Sequence, residues 1–219
     1  MTVLFTQYWD VTPGKFDEYS SFVTNQYNPA LEKLGLKLLG GYYVAVGEGP
    51  RIVAVATVDD QDYLRKILAT NEYRVILNGL LGLVQKYSSK LWVSSGRVVE
   101  GPYRMQTGAW KFNQYYNVLP GMENEHYRFV KEECIPGMKE LQVPITAGWR
   151  LVIGQGPAIL AECTARSMVD IAKAIDTFEF RKLVRKLKKN IGTDYSSRIL
   201  APTGRIEIPY FMGEMMKGF

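Results

Sequence analysis

The sequence contains few of the side chains that hold metals or build disulfide frameworks: its 219 residues include two cysteines and one histidine. Cys134 and Cys163 form no framework of bridges, which is typical of a reducing compartment, so we predict a cytoplasmic protein. A zinc site normally needs several imidazoles or thiolates. The composition therefore argues against a metal site, and it identifies no cofactor.

Long apolar runs are missing as well. The N-terminal residues MTVLFTQYWDV lack a basic region followed by an apolar run, so no secretory signal is predicted. No stretch approaches the roughly 20 apolar residues that a membrane-spanning helix needs. We therefore predict no membrane partner.

Much of the net charge of +5 lies in one basic stretch, RKLVRKLKK, at residues 181–189. On a helix, Leu183, Val184 and Leu187 would fall on one face and the basic residues on the others, which favours a solvated helix face. A nucleic-acid groove would need stacking aromatic side chains between the basic ones, and Phe180 stands only at the edge of this stretch. We predict no nucleic-acid partner.

One segment of the chain occurs a second time in similar form. Residues 5–11 read FTQYWDV, and residues 112–118, which lie 107 positions later, read FNQYYNV. Matches at this offset continue along nearly the whole chain, with one inserted residue before Tyr195. Self-similarity at a fixed offset indicates a duplicated structural unit. We predict two domains, residues 1–103 as the first repeat and residues 104–219 as the second repeat with a C-terminal tail.

Each half predicts the same order of elements, βαββαβ. The first half should contain a strand over 3–11, a helix capped by Thr12 and interrupted before Pro29, a hairpin over 41–58, a second helical region broken at Thr70, and a strand over 91–99. This order is a ferredoxin-like unit, which leaves one face of its antiparallel sheet bare. The predicted fold class is α+β, with two tandem ferredoxin-like βαββαβ repeats packed sheet to sheet.

The start of the second helical region resembles that of the dimeric α/β-barrel superfamily. Residues 70–74 read TNEYR and residues 177–181 read TFEFR, close to the superfamily's Pro-Glu-aromatic-Arg start after a small capping residue, with Asn71 and Phe178 where proline is common. The resemblance covers both halves and implies an intramolecular dimeric α/β barrel. The superfamily includes cofactor-free monooxygenases, haem-degrading and chlorite-dismutase-like haem proteins, and NIPSNAP-type proteins.

Each repeat places one glutamine on an otherwise apolar strand face. Gln7 stands between Phe5 and Trp9, and Gln114 takes the same place in the second repeat. A buried amide must be hydrogen-bonded or it costs on the order of 1–3 kcal/mol. A structural amide is favoured, because both repeats keep it. The alternative is a donor and acceptor that line a small-molecule pocket.

The second repeat contains His126 where the first contains Tyr19. Helical spacing to Val130 and Cys134 places this histidine on an inward-facing stripe. A packing role is favoured, and the alternatives are a general base or an axial haem ligand. We name His126, Gln114 and Tyr115 as candidate catalytic residues.

Several further residues are candidates for ligand binding. They are Gln7, Tyr19, Arg150, Glu162 and Arg181. Arg150 and Glu162 occur only in the second copy, and a hairpin centred on Gly156 would make them cross-strand partners.

These residues support three functions. The first is a small-molecule-binding protein or cofactor-free enzyme of monooxygenase or isomerase type, with a pocket between sheet and helices. The second is a haem-binding protein like the chlorite-dismutase group, with His126 as the ligand. The third is a non-catalytic assembly module. An exposed sheet edge or the apolar tail, residues 207–219, could join copies of the chain into a homo-oligomer.

Overall fold

A computed structural model describes the chain over residues 3–96, 98 and 108–203. These residues form two units: the first holds residues 3–43, 49–91 and 203, and the second holds 44–48, 92–96, 98 and 108–202. The predicted boundary at residues 103 and 104 and the tail at 207–219 lie outside the described residues. The division into two domains at that boundary therefore stays a prediction.

The first repeat has the predicted order of elements. They are β1 (Val3–Val11), α1 (Phe16–Phe22), α2 (Asn28–Lys33), β2 (Lys37–Val46), β3 (Ile52–Val58), α3 (Gln61–Ala69), α4 (Asn71–Leu81) and β4 (Val84–Ser94). The strand order is β4-β1-β3-β2. Antiparallel pairing sets Gln7 opposite Ala54 and Trp9 opposite Ile52.

The second repeat follows the same order. Its elements are β5 (Trp110–Val118), α5 (Glu123–Phe129), α6 (Ile135–Glu140), β6 (Ile145–Ile153), β7 (Ile159–Ala165), α7 (Met168–Ile175), α8 (Phe178–Lys186) and β8 (Gly192–Pro202). The strand order is β8-β5-β7-β6, the equivalent of the order in the first repeat. The predicted α+β fold class with two ferredoxin-like repeats is confirmed.

The first helical region differs from its prediction at both ends. Thr12 does not cap α1, because Gly14 adopts a left-handed φ of +82° and the helix begins only at Phe16. The predicted interruption before Pro29 is a π-helical turn, Val23–Tyr27, that joins α1 to α2 without leaving helical geometry. The second repeat has the same turn at Val130–Cys134.

A third π-helical turn, Leu187–Ile191, occurs only in the second repeat and links α8 to β8. The starts of α4 and α8 are 107 residues apart, whereas the starts of β4 and β8 are 108 apart. A π turn holds one more residue than an α turn. The inserted residue is therefore absorbed in this turn, and β8 keeps its alignment with β4.

The helices of the second repeat cover one face of its sheet with an apolar core. Its buried members are Phe112, Met138, Val143, Cys163, Ala165, Ile171, Ala174, Phe180 and Ile199. Phe112 and Phe180 lie with ring centroids 5.7 Å apart. Aromatic pairs of this kind add to the free energy gained from burial alone.

The predicted break at Thr70 is confirmed, and the second repeat has the same break at Thr177. Each threonine hydroxyl accepts a hydrogen bond from the backbone N–H three residues later at 3.1 Å and donates to the carbonyl three residues earlier. The threonine thus satisfies a free donor at the start of one helix and a free acceptor at the end of the previous one.

No helix within residues 3–96, 98 and 108–203 is long and apolar enough to cross a membrane.

We expect Thr177→Ala to lower the free energy of unfolding by about 1 kcal/mol, because the first turn of α8 loses its cap. Urea unfolding followed by circular dichroism measures this loss. Thr24→Ala is the matched control, since Thr24 is exposed within the first π turn and caps no helix. Equal losses in the two variants would contradict the assigned role of the Thr177 hydroxyl.

Candidate functional site

The amide oxygen of the first repeat is fully paired. Gln7 is 1% exposed, and its Oε1 accepts hydrogen bonds from the Tyr27 hydroxyl at 2.6 Å and the Tyr87 hydroxyl at 2.8 Å. The Tyr73 hydroxyl lies 3.5 Å from that of Tyr87. Both lone pairs of the amide oxygen are therefore used, and a structural role accounts for Gln7.

Aromatic rings fill the space around this amide. Trp9 donates from Nε1 to the Tyr19 hydroxyl at 2.9 Å, and its ring lies edge-on to Tyr27 with centroids 6.4 Å apart. Trp9, Tyr19 and Tyr27 are all fully buried. Tyr19, a predicted ligand-binding residue, thus lies in a packed aromatic cluster of the first repeat.

The amide oxygen of the second repeat has fewer partners, although the whole amide again makes two hydrogen bonds. Gln114 is buried, and its Oε1 accepts a hydrogen bond from the Tyr195 hydroxyl at 2.9 Å. Its Nε2 donates to Sγ of Cys163 at 3.6 Å. Tyr195 is the equivalent of Tyr87, but Cys134 occupies the place of Tyr27. Within the described residues, the Gln114 oxygen accepts one hydrogen bond where the Gln7 oxygen accepts two.

The buried histidine of the second repeat belongs to the same region. His126 is 5% exposed, as the predicted inward-facing stripe requires, and its Nε2 lies 2.9 Å from the Tyr116 hydroxyl. The two rings meet edge-on with centroids 5.6 Å apart. Tyr116 and His126 are the equivalents of Trp9 and Tyr19, so the second repeat keeps this hydrogen bond with smaller partners.

Side chains around the amide are smaller and more exposed in the second repeat. Three positions that hold Trp9, Tyr19 and Tyr27 in the first repeat hold tyrosine, histidine and cysteine in the second. Tyr27 is fully buried, whereas Cys134 is only partly buried. Cysteine is smaller than tyrosine, and Cys134 packs together with Tyr195 against a buried cluster of Tyr116, Phe129, Leu187 and Ile191.

The helix that covers this region carries a glycine in the first repeat and a lysine in the second. In the first repeat, Gly79 of α4 meets Phe22, and a Cβ at Gly79 would lie 2.5 Å from the Phe22 ring. In the second repeat, Lys186 stands at the equivalent position on α8. Its Nζ lies 5.7 Å from the Phe129 ring centroid and forms an ion pair with Glu133.

The two thiols near Gln114 are not nucleophiles. Burial raises the pKa of Cys134 to about 12, a change that the nearby Glu133 carboxylate reinforces and Lys186 opposes. Burial also raises the pKa of Cys163 far above its ordinary value. Both side chains are therefore protonated at neutral pH, and the thiolate needed for nucleophilic catalysis does not form.

Tyr115 does not join the other two candidate catalytic residues. Alternation along β5 turns its side chain to the opposite sheet face from Gln114 and Tyr116. There its hydroxyl accepts a hydrogen bond from Asn113 at 3.3 Å, and Arg198 lies over its ring. The tyrosine that contacts His126 is Tyr116, which the same alternation could have identified.

The predicted pairing of Arg150 with Glu162 is wrong. The hairpin turns between Gly154 and Gln155 instead of at Gly156, so that Arg150 lies opposite Ile159 and is exposed. Glu162 is 4% exposed and accepts a hydrogen bond from Lys111 Nζ at 2.8 Å, on the same sheet face as Tyr115.

Arg181 lies away from Gln114. Its guanidinium is exposed, donates to the Asp176 carbonyl at 2.8 Å and forms an ion pair with the Asp176 carboxylate. In the described ranges of the chain, no three His, Cys, Asp or Glu side chains are grouped as metal ligands would be.

The tyrosines around Gln7 make the free energy of unfolding sensitive to pH in the alkaline range. Burial raises the pKa of Tyr27, Tyr73 and Tyr87 above the ordinary value near 10. The unfolded chain releases these protons above about pH 10 while the folded chain retains them, so stability falls as pH rises. We expect Tyr73→Phe, which copies Phe180, to make this fall shallower by up to about 1.4 kcal/mol per pH unit.

Urea unfolding at a series of alkaline pH values measures that slope, and Tyr63→Phe, at an exposed position, is the control. Equal slopes in wild type and Tyr73→Phe would show that this hydroxyl does not titrate on unfolding.

Comparison with known proteins identifies the fold. No protein-family model and no curated protein sequence matches the chain. A haem-binding protein from Thermus thermophilus matches over 97% of this chain and 95% of its own, with a TM-score of 0.64 and 12% identity. A candidate monooxygenase from Lactobacillus acidophilus NCFM matches over 93% and 97%, with a TM-score of 0.58 and 9% identity.

An anthrone oxidase-like protein matches over 91% of this chain and 90% of its own, with a TM-score of 0.58 and 13% identity. At such identities the likeness establishes the fold and leaves the chemistry open. The chain therefore has the fold of the dimeric α/β-barrel proteins, with both ferredoxin-like repeats in one polypeptide.

Proposed function

We propose that the second repeat binds a small aromatic molecule that carries a hydroxyl group, in the space between β5 and the helical segment that contains His126 and Cys134. One observation carries this proposal: Gln114 keeps the place of Gln7 but lacks the hydroxyl that Tyr27 supplies in the first repeat. A ligand hydroxyl would donate to the Gln114 oxygen as the Tyr27 hydroxyl donates to Gln7. Its ring would lie beside Tyr116.

The chemistry of such a site suits small-molecule recognition. Most contacts would be apolar, and a few polar groups would fix the orientation of the ligand, which is the usual composition of such sites. The names of the matched structures, a haem-binding protein, a candidate monooxygenase and an anthrone oxidase-like protein, also support a small-molecule ligand.

His126 is the residue that we assign as general base if the bound molecule reacts. Its Nε2 is occupied by the hydrogen bond with the Tyr116 hydroxyl, so a proton from the ligand would reach the imidazole through that hydroxyl, which would give its own proton to Nε2 as it accepts the ligand's. Removal of a proton from a bound phenol-like molecule is the step that a cofactor-free monooxygenase or an isomerase would need first.

Haem does not fit this arrangement. An axial histidine needs a free nitrogen directed at the iron. Nε2 of His126 is already bonded to Tyr116, and the ring is buried between β5 and α5. Haem binding through His126 would break this hydrogen bond, so we rank it below the hydroxyaromatic ligand.

The proposal keeps the predicted cytoplasmic location and leaves assembly into a homo-oligomer as a prediction. It also makes Arg150, Glu162 and Arg181 dispensable for binding. Arg150 and Arg181 are exposed, and Glu162 lies on the opposite sheet face.

We expect p-cresol, the side chain of tyrosine as a free molecule, to bind the wild-type protein. Cys134→Tyr should abolish this binding, because the new phenol would fill the space and donate to Gln114. Thermal unfolding and ligand-observed NMR measure the effect. At a hundredfold excess over its Kd the ligand should stabilise the wild type by about 2.7 kcal/mol and the variant not at all.

Three controls sharpen this test. Cys134→Ser keeps the space and should keep binding. Toluene, which lacks the hydroxyl, should bind more weakly than p-cresol. Tyr27→Cys should create a p-cresol site in the first repeat.

If there is no room beside Gln114, overpacking in Cys134→Tyr would cost about 1–3 kcal/mol of stability. That loss, together with no p-cresol binding by the wild type, would refute the proposal.

A further inference from the structure

The outward face of α8 combines one apolar side chain with a stripe of basic ones. Residues three and four apart on a helix lie on the same face. Phe178, Lys182 and Arg185 therefore share the outward face, and Arg181 borders it. Phe178 is 68% exposed, and the three basic residues are exposed as well. The inward face, with Phe180 and Leu187, is buried against the unit.

Most of the positive charge on this face is not neutralised. Arg181 is paired with Asp176, and Lys186 with Glu133. Lys182 and Arg185 on this face, and Lys189 in the π turn that follows α8, have no carboxylate within ion-pair distance in the described part of the chain. From Phe178 to Ile191, six lysines and arginines stand against one glutamate.

The first repeat is an internal reference for this surface. Its equivalent stretch, from Asn71 to Leu83, contains one arginine and one glutamate. Asn71 stands where Phe178 stands, and Asn78 where Arg185 stands. The ferredoxin-like unit thus forms the same helix without an exposed phenylalanine and without net charge. Neither feature is required by the fold.

We propose that this face of α8 docks the protein on an anionic phospholipid membrane. Lysine and arginine side chains near such a surface are attracted to its phosphate groups, and each multiplies the affinity about fivefold. An exposed aromatic side chain beside them can enter the boundary between headgroups and acyl chains. The docking is peripheral, because the inward face of α8 stays packed on its own unit.

A lipid surface suits this face better than a nucleic acid. Binding of single strands uses aromatic side chains interleaved with basic ones along a groove, so that successive bases stack. Phe178 is at one end of the stripe, and Lys182, Arg185 and Lys189 follow it without another exposed ring. A convex helix face with an apolar end matches a broad, flat, negatively charged surface.

Sedimentation with lipid vesicles tests the proposal. We expect the protein to bind vesicles of phosphatidylcholine mixed with phosphatidylglycerol at low salt, and to leave vesicles of phosphatidylcholine alone in the supernatant. The combined variant Lys182→Gln, Arg185→Gln and Lys189→Gln should weaken binding at least about tenfold. Phe178→Asn, which copies Asn71, should weaken binding while leaving its salt dependence unchanged.

The matched control is Lys33→Gln with Arg65→Gln and Lys66→Gln, which removes three exposed charges from the helices of the first unit. If binding depended on net charge alone, the two triple variants would lose equal affinity for the vesicles. That result would overturn the proposal. An absence of vesicle binding would also overturn it. So would a protein that binds a single-stranded RNA oligonucleotide but not vesicles, and that loses RNA binding in the triple variant of Lys182, Arg185 and Lys189. None of these outcomes depends on p-cresol binding, so the two proposals fail separately.

Discussion

A buried amide must be paired, and this requirement shapes both repeats. Gln7 and Gln114 each stand in the middle of a strand whose other side chains on that face are apolar. In the first repeat, two tyrosine hydroxyls from separate elements converge on one amide oxygen. The rings of these tyrosines belong to the packed aromatic layer between β1 and α1. Pairing one polar group has thus determined the size of the apolar side chains around it.

The second repeat satisfies the same amide differently. Tyr195 is kept, Cys163 accepts from the amide nitrogen, and Cys134 replaces the second tyrosine. This exchange removes a hydroxyl and a ring together, at one position of the sequence. Substitutions at Tyr116 and His126 are consistent with it, because they keep a hydrogen bond between β5 and α5 while using smaller rings.

Most of the fold could be predicted because the duplication supplied a second copy of every local signal. The order of elements, the caps at Thr70 and Thr177 and the inward face of the first helix all follow from spacing. The errors in the predicted elements and pairings occurred where the course of the backbone does not follow the sequence pattern. A left-handed glycine at position 14 delays α1, and a π turn replaces the break before Pro29. The β6–β7 hairpin turns between Gly154 and Gln155, so that Arg150 lies opposite Ile159 and not Glu162.

The candidate site could be predicted only in part. Alternation along β5 separates Tyr116 from Tyr115, and helical spacing turns His126 inward. The contacts of Gln114 with Tyr195 and Cys163 join strands whose proximity no local pattern reveals. Comparison of the two copies at each position would have shown that Cys134 replaces Tyr27. The importance of that replacement becomes clear only when Tyr27 is known to donate to Gln7.

The ion pair between Lys111 and Glu162 has a consequence for how the two copies diverged. The equivalent residues of the first repeat, Leu4 and Val55, are both apolar and both buried. An apolar pair and a paired lysine and glutamate are each stable, but a single charge among apolar neighbours would cost about 3–5 kcal/mol. Evolution from one state to the other must therefore pass through a destabilised intermediate or change both codons together. Once crossed, such a barrier makes reversal as difficult as the original change, so the two halves of the chain cannot readily converge again.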